Sequence, residues 1–324
     1  MLPVGSVPRT VRVLLIVNAT ASSVTPRRRR VIEQALRADH ELTVAETKHR
    51  GHAARLAHGA TTDGTELVVV LAGDGTLNET ADGLRGSSVA LFPMPGGSTN
   101  VYARMLGISE DPVDATAQIL DAIDARSFRR IPIGVANGRT FLFHCGVGFD
   151  AAVIRKVEAR SALKRYAAHP LFVLTALQTW TNPRARAIRF TVELADGATV
   201  ESAFLIVAKT SPWTYIGHRP IVITPEANLD SALSAVALHS SSANLLVRSF
   251  FSAISRHRFI DRSKHITHVT DIKRLTVHCP KGAPWQVDGD YLGEIEELAV
   301  ELVPDALTIL VPNPAPSEPD PEDQ

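Results

Sequence analysis

Residues 67–84, LVVVLAGDGTLNETADGL, begin as an unbroken aliphatic run and finish with helical spacing. A run of this kind reads as a strand buried on both faces, and the Gly-Asp-Gly at its end as a tight turn into a helix. Gly73 and Gly75 let the backbone turn sharply and present amide N–H groups, with the Thr76 hydroxyl beside them. The junction therefore has the form of an anion-binding loop, yet it carries an acid, Asp74, at its centre. Taken alone, Gly-Asp-Gly is a plain strand-to-helix turn.

The flanking segments repeat the same grammar. VRVLLIVN (11–18), ELTVAET (41–47) and SVALFPM (88–94) are strand-like, while RRRRVIEQALRAD (27–39), GHAARLAHGA (51–60), NVYARMLG (100–107) and DPVDATAQILDAID (111–124) have helical spacing. This alternation predicts an α/β domain over 9–127 with a mostly parallel sheet, and ligands beyond the carboxyl ends of its strands. From 128 the pattern changes to short strands and turns such as ANGR (136–139) and ADGA (195–198), predicting a β-rich, sandwich-like domain over 128–300. Within it, 151–180 is helical in pattern with a break near Pro170, and the apolar, aromatic LLVRSFFSAI (245–254) reads as a buried helix or as the lining of an apolar ligand pocket. Residues 301–311 form a closing segment able to return to the first domain. The tail after 311, rich in proline and acids, is expected to be disordered.

Composition narrows the function classes. The 324 residues carry 34 Lys plus Arg against 34 Asp plus Glu, so no whole-molecule field favours nucleic acid. Cys145 and Cys279 stand far apart without metal or disulfide spacing. The N-terminus lacks the form of a secretory signal, and the apolar stretch LFVLTALQTW (171–180) is about half the length of a membrane span. The expectation is a cytoplasmic protein. The pairs His49–His52 and His265–His268 lack further ligands at a familiar spacing, so no transition metal is assigned.

A second glycine turn decides how the first is understood. FPMPGGSTNVYARMLGI (92–108) is again strand, glycine pair, hydroxyl residues and helix. Gly96, Gly97, Ser98, Thr99 and Asn100 can face the first loop with a second set of donors, and two such loops on neighbouring strands point to a nucleotide. No Walker-type GxxxxGK[ST] sequence and no protein-kinase motif set is present.

With both turns in view, the chain resembles the diacylglycerol kinase catalytic-domain family, which includes bacterial lipid kinases and the sphingosine and ceramide kinases. Residues 72–79 look like its GGDGTxNE pattern and 95–107 like its P-x-GTxN-x-x-A-R-x-LG pattern. VNATASS (17–23), ETKHRGHAARLA (46–57) and WQVDGDYLGE (285–294) align with three further family segments in the same order. The resemblance implies an NAD kinase/phosphofructokinase-like α/β domain and a nucleotide cleft between the two domains, with ATP and Mg²⁺ as cofactors. It carries nucleotide binding onto Asn18, Ala19, Thr20, Ala21, Ser22, Thr47, Gly73, Asp74, Gly75, Thr76, Leu77, Asn78, Glu79, Gly97 and Ser98, with Asn100 bracing the second loop.

A carboxylate beside a triphosphate is repulsive unless a cation intervenes, so Asp74 is expected to act through Mg²⁺ or its bound water. By resemblance Asp288 is the candidate base for the acceptor hydroxyl, with Asp290 as helper. The sequence departs from the family at Ala72, Ala19, Val101 and Asp290. Some bacterial members hold a structural metal near a Pro-x-Ala-x-x-Asp-Asp-Gly segment; here Pro225, Ala227 and Asp230 are kept, as a weak candidate site, but Ser231 replaces an acid.

The expected function is an ATP-dependent lipid kinase converting diacylglycerol to phosphatidic acid. The alternatives are a kinase of sphingoid bases or other lipid alcohols, an NAD kinase-like enzyme, and a non-catalytic sensor. Residues 155–189 carry eight Lys or Arg against one acid, and 256–274 six against two. Such stretches can give transient peripheral contact with the inner face of the cell membrane, though a solvated surface explains them equally. No nucleic-acid partner is expected, and a homodimer is allowed.

Overall fold

The computed structural model describes residues 10–158, 175, 178–179, 181–254 and 263–312. The chain divides into two units, Met1–Arg130 with Leu307–Gln324, and Ile131–Ala306.

In the first unit, β1 (Arg12–Val17), β2 (Glu41–Glu46), β3 (Leu67–Ala72) and β4 (Ala90–Pro95) form a parallel sheet in the order β4-β3-β1-β2. The C-terminal strand returns to this sheet, pairing Thr308 with Ala90 and Ile309 with Leu91 in parallel. Helix α1 (Pro26–Asp39) starts where Pro26 presets the backbone and the Thr25 hydroxyl accepts the Arg28 amide at 3.2 Å. The other helices are α2 (His52–Ala60), α3 (Asp74–Leu84), α4 (Val101–Met105) and α5 (Pro112–Asp124). Val13, Leu15 and Val17 of β1 pack with Ile32 and Leu36 of α1 and Ile119 of α5. The alternate residues Leu14 and Ile16 are buried as well, which is why this strand is apolar throughout.

The second unit is built largely of antiparallel strands. Strands β5 (Phe128–Ala136) and β6 (Arg139–Phe141) make the expected hairpin, with Asn137 and Gly138 both at positive φ. Then come β7 (His144–Gly148), β8 (Phe190–Leu194), β9 (Thr199–Ser202), β10 (Phe204–Ala208), β11 (Thr214–Ile216), β12 (Arg219–Ile221), β13 (Leu233–Leu238), β14 (Ile266–Ile272), β15 (Arg274–Val287) and β16 (Asp290–Leu310). The order β14-β13-β10-β7-β15-β16 runs across the unit, and β8 adds to β15. Cys145, Val147, Leu205, Val207, Val277, Val287 and Leu298 belong to one buried cluster.

Helix α6 (Phe149–Glu158) confirms the start of the helical pattern read over 151–180. The break near Pro170, most of 171–180, parts of both basic stretches and nearly all of the C-terminal tail lie outside the described residues. The expectation of a buried helix at 245–254 needs correction. The helix Ala243–Ile254 is amphipathic, burying Leu245 and Ala253 while Val247 and Phe251, four residues apart, are 52% and 62% exposed.

Candidate active site

Strand order marks a candidate ligand site in the first unit. From β1 the chain passes to β2 on one side and then to β3 on the other, so the winding direction reverses between β1 and β3. In open α/β sheets such a reversal leaves a crevice beyond the carboxyl ends of the strands. Asn18 follows β1 there and Gly73–Thr76 follow β3. The Asn18 side-chain amide reaches the Thr76 hydroxyl at 3.3 Å, while its carbonyl oxygen accepts from the amide and hydroxyl of Thr20 at 3.1 and 2.8 Å. Ala19, Thr20 and Ser22 are exposed and Ala21 half-buried. Thr47 joins them after β2, its amide donating to the Val17 carbonyl at 2.9 Å.

Helix α3 begins directly at Asp74, with Gly73, which has no side chain to offer, as its cap. The positive end of the helix therefore opens at the carboxyl end of β3, in an arrangement suited to phosphate oxygens. The second glycine turn lies against it. A Cβ on Gly97 would stand 2.7 Å from the Gly73 Cα, so the two backbones approach more closely than any side chain permits. Ser23 ties the β1 loop to the same turn, its amide donating to Gly96 O at 2.9 Å and its hydroxyl to Gly97 O at 3.0 Å. Ser98 is exposed beside them.

Asp74 has a role that sequence reasoning missed. Its two carboxylate oxygens accept the amides of Val101 and Tyr102 at 3.0 and 3.3 Å, capping α4 from the neighbouring turn. The local cap, Asn100, sits in the left-handed region and spends its side chain on Gly97, accepting the Gly97 amide at 2.8 Å and donating to its carbonyl at 3.0 Å. The acid between two glycines is thus the clasp that joins the two turns.

Leu77, Asn78 and Glu79 brace this loop from within. All three are buried, and Glu79 accepts the Gly51 amide at 2.8 Å, fixing the start of α2. Among the described residues no group of three or more His, Cys, Asp or Glu is placed to hold a metal ion. Mg²⁺ does not require such a cage, since it takes one or two carboxylates together with phosphate oxygens and water. A carboxylate at the carboxyl end of β3, beside the α3 N-terminus, is the donor chemistry such an ion takes.

In the second unit, Asp288 and Gly289 form a two-residue turn, both at positive φ, between the paired residues Val287 and Asp290. The Asp288 carboxylate is 5% exposed and accepts three amides, from Leu142 at 2.7 Å, Phe143 at 2.9 Å and His144 at 3.0 Å. Its own amide donates to the His144 carbonyl at 2.8 Å. These bonds anchor the turn to the start of β7. Asp290 is half-buried at the start of β16.

A second clamp runs through Gln286 and Asp150. The Gly289 amide donates to Gln286 Oε1 at 2.8 Å, and Gln286 Nε2 donates to Asp150 Oδ2 at 2.8 Å. A Cβ at Gly146 would stand 2.3 Å from that same Asp150 oxygen, so glycine is required there. Burial raises the Asp150 carboxyl to about 6 and lowers the neighbouring His144 imidazole to about 3. Asp150 is visible in the sequence only as a lone acid in HCGVGFDAAV (144–153), a pattern that announces burial without announcing a partner. Asp230 belongs to the same unit, in the turn 228–231.

Residues 12–140 match the family described as the diacylglycerol kinase catalytic domain, and residues 144–311 match the YegS C-terminal NAD kinase beta sandwich-like domain. A protein of Chromohalobacter salexigens named probable lipid kinase YegS-like is 27% identical over 310 residues, 92% of either chain. A crystal structure of a diacylglycerol kinase from Bacillus anthracis superposes with a TM-score of 0.67 at 21% identity, covering 94% of this chain and 97% of the other. An NAD kinase from Archaeoglobus fulgidus in complex with ATP reaches 0.53 at 13% identity, covering 93% of each. At such identities the two structural likenesses establish the fold alone: a mostly parallel α/β sheet followed by a β sandwich-like domain.

Proposed function

Since the chain belongs to the diacylglycerol kinase family of lipid kinases, we propose that it transfers the γ-phosphoryl group of ATP to the hydroxyl of a lipid alcohol, diacylglycerol first among them. The observation that carries this reading is the pair of glycine turns after β3 and β4, clasped by Asp74 beside the reversal between β1 and β3. The α3 N-terminus offers amides to phosphate oxygens, and Asn18, Thr20, Thr47, Thr76 and Ser98 surround it with polar groups. Asp74 would hold Mg²⁺ beside the nucleotide, directly or through water, and the ion would neutralise charge on the phosphate oxygens.

Phosphoryl transfer also needs an acceptor for the proton of the attacking hydroxyl. Resemblance points to Asp288, but a carboxylate engaged by three amides has used most of its roughly four acceptor positions. Our proposal therefore gives Asp288 the task of holding the turn and makes Asp290 the proton acceptor. A lipid acceptor further implies work at a membrane surface; among the described residues no helix is long and apolar enough to cross one.

The test is an assay with radiolabelled ATP against diacylglycerols, sphingoid bases and other lipid alcohols in mixed micelles, with NAD as a soluble comparator. Labelled phosphatidic acid from diacylglycerol is the expected product. Labelled NADP with no lipid product would transfer the assignment to the NAD kinase reading. ATP binding without any transfer would favour a sensor.

A further inference from the structure

Lys209, directly after β10, takes no part in the proposed phosphoryl transfer. It is 1% exposed, and its amide donates to the Phe143 carbonyl at 2.9 Å. The Nζ donates to the backbone carbonyls of Asn228 at 2.8 Å and Leu229 at 3.0 Å. A buried ammonium is costly unless it is paired and hydrogen-bonded, so this placement needs a reason.

The turn that receives it leaves the Leu229 carbonyl to the ammonium, while the Asn228 carbonyl also accepts the Ser231 hydroxyl at 3.1 Å. Asn228 Oδ1 accepts the amides of Asp230 and Ser231, each at 3.0 Å, and the Asn228 amide donates to the Ser231 hydroxyl at 2.8 Å. Side-chain and amide groups thus close the turn without using the Leu229 carbonyl. The negative charge of Asp230 favours the protonated lysine, against a burial that pulls its pKa down to about 8. Two carbonyl acceptors on the Nζ and the nearby carboxylate favour the ammonium form.

This is the segment in which the family resemblance places a structural metal, and the residues present do not fit one. A divalent ion such as Mg²⁺ or Ca²⁺ needs about six oxygen ligands. Here two of the carbonyls are already bonded to an ammonium, and Ser231 stands where a second acid is expected. An ion placed on the same oxygens would lie within a few Å of that ammonium, and the two positive charges repel. We propose that the ammonium of Lys209 serves as a tethered cation in place of the metal, holding the 228–231 turn and making the second unit independent of divalent ions.

The test uses the full chain, purified free of nucleotide, and reads thermal unfolding and metal content. The midpoint of the wild type is expected to be unchanged between EDTA and millimolar Mg²⁺ or Ca²⁺, with no stoichiometric metal by mass spectrometry. Lys209→Met, which keeps length and loses charge, is expected to melt lower by roughly 5 °C or more. Adding an acid to it, as Lys209→Met with Ser231→Asp, is expected to restore stability only when a divalent ion is supplied. A wild-type midpoint that falls in EDTA and recovers with Mg²⁺ would overturn the proposal, as would a Lys209→Met protein as stable as the parent. Should that variant fail to fold, the wild-type melts and metal content still decide.

Discussion

Asp74 makes two structural bonds before any nucleotide arrives. Removing them with Asp74→Ala leaves α4 without its cap, and the expected loss is about 1–2 kcal/mol together with weaker ATP binding, measured by urea unfolding and nucleotide titration. A variant with undiminished stability would contradict the clasp. The clasp was illegible in the sequence because its partner amides lie 27 and 28 residues away and Asn100 stands in the usual capping position. Asp150 was hidden for a different reason, since burial of an acid is a tertiary fact. Its carboxyl rises from an ordinary 3.8 to about 6, so the folded chain holds this proton more tightly than the unfolded chain does. The stability that this contributes is complete below about pH 4 and is lost as pH rises to about 6. Asp150→Asn, which keeps an oxygen for Gln286, should therefore gain on the wild type across that window, reaching on the order of 3 kcal/mol by pH 7. Urea midpoints for both proteins at pH 4 and pH 7 check this. A difference that does not change with pH would show that Asp150 is not the titrating group.

Elements were more legible than residues, because period and turn chemistry are local. Strands β1 to β4 and helices α1 to α5 follow directly from apolar runs and helical spacing, and the Asn137-Gly138 hairpin from its turn residues. Two elements differed in detail. Helix α3 starts one residue after Gly73, so what reads as a loop is already a helix N-terminus. The run at 245–254 reads as buried because counting apolar residues does not say which face they occupy, and Val247 and Phe251 fall on the outer one. The approach of the two glycine turns gives the test proper to this scale. Gly97→Ala puts a methyl 2.7 Å from the Gly73 Cα, forcing the turns apart. Nucleotide affinity should fall at least tenfold while the far-UV circular dichroism is kept, an effect of about 1.4 kcal/mol. Unchanged affinity would mean that the close approach does not shape the site.

At the scale of the molecule, the chain builds most of one unit, then the other, and returns to close the first sheet through Thr308 and Ile309 beside β4. The change from βαβ alternation to short strands marks the passage in the sequence. The parallel pairing of the return is not written there, because a short apolar segment such as ALTIL (306–310) carries no sign of its partner. Ending the chain at Ala306 would expose the β4 edge, so the truncated protein should aggregate or melt lower than one ending at Pro312, as light scattering and thermal unfolding would show. Equal behaviour would remove the return strand from the account of the fold. The central claim is chemical, however, and one comparison tests it most directly: phosphoryl transfer from radiolabelled ATP to diacylglycerol by the wild type, Asp290→Asn and Asp288→Asn at saturating ATP. The account predicts labelled phosphatidic acid from the wild type, a loss of orders of magnitude in Asp290→Asn with thermal stability kept, and a lowered melting temperature in Asp288→Asn. No labelled lipid from a wild-type protein that binds ATP, or full turnover in Asp290→Asn, would contradict it.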